Sequence, residues 1–313
     1  MVLLAQLVRA SDCGSEGRGF DPHTAPLKIP IIISVNSLTA LTLFLLPLKM
    51  TDSELKELLD YESRRINCID FVDDDPVRFP RHFSDKRDIE IAALLASTIA
   101  WGKRSMICRD AERMFALMDW QPYRYVVERG FEDLPDMNIH RTFFAANLRH
   151  YLRGLARIYD RYDSLEDFAA AVGTATAEMP AWHLVAAVNA ELCEANGGCG
   201  DSRCLPLSLD STALKRFNMA LRWLVRDDGI VDLGVWSVLK PSQLYIPLDV
   251  HVGNTSRELG LLTRLANDRR AVVELTEALR RFNPDDPVVY DYALFGLGVY
   301  NSFDEALENA KKR

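Results

Sequence analysis

An aspartate that ends an apolar approach and opens a helix is a carboxylate held in one place. In residues 246–264, IPLDVHVGNTSRELGLLTR, Ile246, Pro247 and Leu248 lead to Asp249, after which Val252, Leu259 and Leu262 recur at helical spacing. At a helix start the side chain accepts hydrogen bonds from backbone N–H groups that have no partner in the helix, at the positive end of its dipole. Asp249 is then either an N-cap alone or an oriented negative charge placed where positive charge develops during a reaction. Residues 215–226, KRFNMALRWLVR, carry the opposite sign: Lys215, Arg216, Arg222 and Arg226, with no acid. On a helix Lys215, Arg222 and Arg226 fall near 7- and 4-residue spacing, while Phe217, Leu221, Leu224 and Val225 take the apolar face. The stripe is either a solvated helix face or a row of phosphate contacts with a lysine available as nucleophile. Residues 78–113 add eight basic against five acidic side chains, Lys103 and Arg104 among them, so the bias has the same sign. His251, two residues after Asp249, is a further candidate for phosphate contact, or a satisfied structural group.

Helices must position these groups. Residues 53–59 place Leu55, Leu58 and Leu59 at helical spacing behind Thr51 and Ser53 as caps, and residues 71–83, with two prolines, read as a loop. Asp88 is expected to cap a helix with Ile91, Leu94, Leu95 and Thr98 on one face, followed by a helix over 105–118. Further helices are expected over 141–159, 164–172 (opened by the pattern Ser164-x-x-Asp167), 182–195, 211–225, from Asp249 onward, over 269–282 and over 287–300. No run alternates with period two for long enough to build a sheet, so the fold class is all-α.

The composition, 48% apolar and 26% charged, is that of a globular chain. With 37 basic and 45 acidic side chains the net charge is -8, which argues against coating nucleic acid through a general positive field and leaves room for a local basic face. Six cysteines stand at 13, 68, 108, 193, 199 and 204 without a repeated spacing. Cys199 and Cys204 are too far apart for a short zinc-knuckle pair, so the thiols read as reduced and cytosolic, with no metal site expected.

The opening 49 residues stand apart. Residues 29–48, IPIIISVNSLTALTLFLLPL, are long enough for a membrane span or signal core, but two prolines and a β-branched run weaken a helix, and no small-x-small cleavage site precedes Met50. Ahead of them, MVLLAQLVRASDCGSEGRGFDPH resembles the translation of a bacterial transfer-RNA gene: residues 5–10 match its D-arm and residues 19–22 its T-arm, in order. The expected organisation is therefore a non-native translated leader over 1–49 and an all-α domain over 50–313, net -9, with a genuine membrane anchor as the alternative. N-terminal sequencing of native protein should read from Met50; a start upstream of it contradicts this expectation.

The order of motifs resembles the helix-hairpin-helix superfamily of base-excision DNA glycosylases: DIEIAALLASTIAWGKRSMICRDAERMF (88–115), PLDVHVGNTSRELGL (247–261) and YDYALFGLGVYN (290–301). Residues 50–300 are more closely similar to an uncharacterised bacterial family of the DUF2400 kind, common in Bacteroidetes, through AWGKR, HRTF, KRFNMALRWLVR, IPLDVHVGNTSRELGLLTR and FNPDDPVVYDYALFGLGVY. Among the glycosylases, the archaeal 8-oxoguanine branch compares best. The resemblance implies a two-lobed helical fold around damaged double-stranded DNA, a nucleotide flipped into a pocket, and Asp249 at the catalytic aspartate. Two features depart from the pattern. Residues 227–234, where the hairpin belongs, contain Gly229 and Gly234 but no G-x-G, and no lysine stands there. Lys215 is then the nearest candidate nucleophile, ahead of Lys240, with Arg216, Arg222, Arg226, Lys103, Arg104 and His251 as nucleic-acid contacts. The iron–sulfur cluster of some members needs four cysteines after the last helix; none follows Cys204, and no cofactor is implied. Lys215 would attack C1′ and leave an imine that permits strand cleavage, while Asp249 stabilises the charge on the sugar; without a placed lysine, Asp249 would orient water. Trp101, Trp223 and Trp236 are candidates to stack on the base or to fill the core; His140 and Arg141 would contact DNA or join helices. A non-catalytic nucleic-acid-binding relative is the alternative function. A membrane-anchored protein is a third reading, and it rests on residues 29–48 alone.

Overall fold

Thr51 opens the first helix by a reciprocal cap. Its hydroxyl accepts from Glu54 N (3.3 Å), and its own backbone N–H donates to the Glu54 carboxylate (2.8 Å). The computed structural model describes residues 50–299, so the expectations for residues 1–49 and for Tyr300 lie outside the described residues. Helices follow in the order α1 (Asp52–Ile66), α2 (Ile69–Asp73), α3 (Lys86–Thr98), α4 (Arg104–Ala116) and α5 (Pro122–Val127). A two-stranded antiparallel hairpin, β1 (Asn138–His140) and β2 (Phe143–Phe144), comes next. Then come α6 (Ala145–Tyr159), α7 (Leu165–Ala171), α8 (Pro180–Ala195), α9 (Lys215–Val225), α10 (Val250–Glu258), α11 (Arg269–Arg280) and α12 (Asp291–Val299). Among the described residues the fold is all-α apart from that hairpin. Among the described residues no helix is long and apolar enough to cross a membrane, and all five cysteines are free.

Several expected elements begin elsewhere, for local reasons. Asp85, not Asp88, caps α3, its carboxylate accepting from Arg87 N (2.9 Å); Asp88 accepts from Tyr123 N (2.8 Å) and ties α5 to α3. The proline-containing residues 71–83 form short 3₁₀ turns at Pro76–Arg78 and Pro80–His82, each opened by a proline that lacks the N–H the first turn leaves unpaired. The helix expected over 211–225 starts only at Lys215, because Leu214 sits in the left-handed region (φ 50) and turns the chain into it.

Two groups of helices form the core. In one, α12 lies against α1 and α10 at close range: a Cβ at Gly296 would come 2.5 Å from Ile66 Cγ1, and one at Gly298 would come 2.7 Å from Thr255 Oγ1. In the other, α6 packs on α8, and α3 lies between α9 and α5. Residues 89–98 of α3 are all buried, which its alanine-rich sequence permits on every side.

That central helix carries a buried acid. Glu90 accepts from the backbone of Leu165 (2.9 Å) and Glu166 (3.0 Å) at the N-terminus of α7, from Trp236 Nε1 (2.7 Å) and from the Tyr159 hydroxyl (3.0 Å). Burial pushes its carboxyl above the usual range, and the donors oppose that rise. Glu166 continues the tie, accepting from Lys86 and from Val238 N (2.7 Å). Glu90→Ala should lower stability by at least about 3 kcal/mol in urea denaturation, since it leaves several buried donors unpaired. Glu90→Gln, equal in size but presenting an N–H₂ to those donors, should also destabilise; a change within about 0.5 kcal/mol would contradict the acceptor role.

Candidate functional site

A cavity of about 970 Å³ opens between the two helix groups, lined by the end of α3, the start of α4, residues 204–217, the start of α10 and α12. Two charged groups meet in it. Lys215 is the first residue of α9, set after the left-handed Leu214, whose N–H donates to Thr212 Oγ1 (3.4 Å). Asp249 caps α10: Oδ1 accepts from Val252 N (2.9 Å), which leaves Oδ2 facing Lys215 Nζ at 3.4 Å. The Asp249 carbonyl accepts from Asn267 Nδ2 (3.0 Å), and Arg257 holds Asn267 Oδ1 (2.6 Å) while donating to the carbonyls of Arg264 and Leu265. The motif after the aspartate thus closes a small loop that fixes the cap.

The other sequence-derived candidates separate into two classes. Arg222 and Arg226 do not form a DNA-facing stripe. Both are 4% exposed. Arg222 pairs with Asp232 (3.3 Å) and with Asp291, over the face of Tyr292 (4.4 Å from the ring centroid). Arg226 pairs with Asp228 (3.1 Å), Asp232 and Asp286 (2.9 Å). The stripe is real, but it points inward onto acids supplied by distant segments. Arg216 lies on the cavity wall, donating to the Thr98 carbonyl, with its guanidinium 5.1 Å from the Trp101 centroid. Arg104 also lines it, 3.9 Å from Asp75 and stacked over Phe71 and Phe295. His251 is exposed and lines the cavity, and Lys103 is exposed just ahead of α4. Lys240 is exposed and is not among the cavity-lining side chains.

Of the tryptophans, Trp223 and Trp236 are core, and Trp101 alone lines the cavity. His140 is fully buried, its Nδ1 2.8 Å from Asp110 Oδ2 and its Nε2 2.9 Å from the Trp101 carbonyl. It holds Trp101 in place and is closed to DNA. The glycine turn over 227–234 uses its own amides: Asp228 Oδ1 accepts from Ile230, Val231 and Asp232 N at 2.9–3.2 Å.

Two cavity-lining acids escaped the sequence reading, Asp75 and Asp291. Asp75 ends a run of three aspartates before Pro76 and Asp291 stands alone between two tyrosines, and only the tertiary fold brings them to the site. Burial pushes Asp75 up, against Arg104. Burial likewise pushes Asp291 up to about 6, against the pull of Arg222 and with the charge of Asp249 adding to the rise.

Residues 75–300 match the model of a protein family described as a protein of unknown function, DUF2400. The chain belongs to that family. No curated protein and no solved structure matches it. The family's match takes in the cavity lining except Phe71, with Asp75, Lys215, Asp249 and Asp291 all inside it.

The raised carboxyl of Asp291 has a definite sign. The folded protein holds that proton more tightly than the unfolded chain, so its contribution favours folding below the ordinary aspartate value, near 4, and is lost as pH rises through about 6. The stability of wild type minus that of Asp291→Asn, from urea midpoints, should fall by up to about 3 kcal/mol between pH 4 and pH 7. A rise over that interval would contradict the assignment.

Proposed function

We propose that this chain is a DNA repair glycosylase with lyase activity, acting in the cytoplasm on a damaged nucleotide flipped out of duplex DNA. The observation that carries the reading is the 3.4 Å approach of Lys215 Nζ to Asp249 Oδ2 on the wall of a cavity large enough for a nucleotide. A lysine beside a fixed carboxylate has the parts for nucleophilic substitution at a sugar carbon: a nitrogen lone pair, a proton acceptor, and a negative charge for the cation-like transition state.

In this scheme Lys215 passes one proton to Asp249 and its lone pair forms a bond to C1′. The glycosidic bond breaks, its electron pair leaving with the base, which takes up the proton from Asp249, so that the carboxylate is charged again as the sugar becomes cationic. Opening of the sugar ring then gives the C1′–Nζ imine, and loss of a C2′ proton with departure of the 3′ phosphate cleaves the strand. Asp249, held by Val252 N and Asn267, supplies the charge without having to reorganise. Extrusion of the nucleotide costs a few kcal/mol, and damage or mispairing lowers that cost. With Arg222 and Arg226 committed internally, the phosphate contacts fall to Arg104, Lys103 and His251 near the cavity, so the salt dependence of binding is that of few contacts.

Borohydride reduction of the protein with duplexes carrying 8-oxoguanine or an abasic site should yield a covalent protein–DNA adduct. Lys215→Gln should abolish it. Asp249→Asn, with helical content unchanged by circular dichroism, should slow base release by about 100-fold or more. Wild-type protein that binds such duplexes but forms no adduct and releases no base from a broad lesion panel is a binding protein, and the proposal fails.

A further inference from the structure

Arg216 differs from the lysine and the other arginines on the cavity wall. Arg222 has two carboxylate partners, Lys215 has Asp249, and Arg104 has Asp75 at 3.9 Å. Arg216 has no carboxylate within ion-pairing distance among the described residues. Its guanidinium donates to the Thr98 carbonyl and stands over Trp101. The ionisable groups nearest in effect are Tyr151 and Cys204, both buried and both raised by burial, and therefore neutral. Burial lowers the Arg216 guanidinium itself, yet an arginine keeps its proton. A half-buried positive charge among neutral groups is expensive unless something with acceptor oxygens completes it.

The position of Arg216 indicates what that group is. Arg216 follows Lys215 on α9, so the two side chains leave the helix about 100° apart and face the same cavity. A nucleotide with its sugar at Lys215 extends its base to one side of that lysine. Trp101 stands against Arg216, and the cavity lining also includes the apolar side chains of Ala100, Leu205, Pro206 and Ala213. Such a wall suits an aromatic base, whereas a hydrated phosphate would favour the charged rim. Trp101 is fixed by His140 at its carbonyl, so the wall is prearranged. Arginine carries donors and no acceptor; it pairs with carbonyl oxygens and meets an exocyclic amino group donor to donor.

Resting on the glycosylase reading, we infer that Arg216, set beside Trp101, is the base-reading group of this cavity and selects bases presenting a carbonyl oxygen over bases presenting an amino group. Hypoxanthine and adenine differ by one such exchange, and so do uracil and cytosine. Guanine and its oxidised forms present the same C6 carbonyl as hypoxanthine, with an amino group at C2 in addition.

Fluorescence anisotropy with mispaired duplexes carrying hypoxanthine or adenine, and uracil or cytosine, at the same position reads this preference without requiring excision. Wild-type protein should bind the carbonyl member of each pair at least tenfold more tightly. Arg216→Met should bring the ratio to near one. Arg216→Lys, which keeps donor-only chemistry, should retain part of it, and Arg216→Gln, which adds an acceptor, should retain less. A wild-type ratio near one, or one that survives in Arg216→Met, overturns the inference; if Arg216→Met does not fold, an equal ratio in the Lys and Gln variants does so. Failure of adduct formation on an abasic duplex, which presents no base, instead counts against the role of Lys215, so the two failures are separable.

Discussion

Two guanidinium groups inside the protein set the rotation of one helix, and the candidate site follows from that rotation. Arg222 and Arg226 project from α9 onto Asp228, Asp232, Asp286 and Asp291, over the ring of Tyr292. Removing water from this many charges is costly, and the cost is offset only while each guanidinium keeps its carboxylates in hydrogen-bonding geometry. A small turn of α9 about its axis would leave buried charges unpaired. The helix is therefore locked, and Lys215, two turns earlier on the same stripe, is directed at Asp249 by the same constraint. The network also reaches the site through Asp291, which pairs with Arg222 and borders the cavity.

Features decided by neighbours in sequence were legible in it. The caps at Thr51, Ser164 and Asp249 are local hydrogen bonds between a short polar side chain and an amide three residues on, and each is visible as a pattern. Features decided across the fold were not. Periodicity put Lys215, Arg222 and Arg226 on one stripe, but it carries no information on what faces the stripe; Asp291 lies 69 positions from its arginine. The start of α3 was displaced by three residues because Asp85 and Asp88 offer the same chemistry, and only the position of Tyr123 assigns one to the cap and the other to α5. Nothing in a leucine announces a left-handed conformation, so the late start of α9 at Lys215 was hidden as well.

The charge of the chain takes on a different meaning in the structure. A net charge of -8 disfavours a nucleic-acid ligand in bulk terms, and in the sequence the basic segment 215–226 offers a local counterweight. Half of that basic charge is structural. What remains at the cavity is small in number and differentiated in partner: one lysine opposite a carboxylate, one arginine over two aromatic rings near a buried acid, and one arginine with neutral neighbours. Such a set is suited to positioning one nucleotide and poorly suited to gripping a long backbone.

The central claim is that Lys215 is the group that bonds to the sugar, and peptide mapping of the borohydride-reduced protein–DNA complex tests it most directly. After nuclease and protease digestion, mass spectrometry should find the sugar remnant on the peptide carrying Lys215 and on no other. A remnant on Lys240 or on the Lys103 peptide would contradict the account, because the bond to the sugar would then form away from the lysine set 3.4 Å from Asp249.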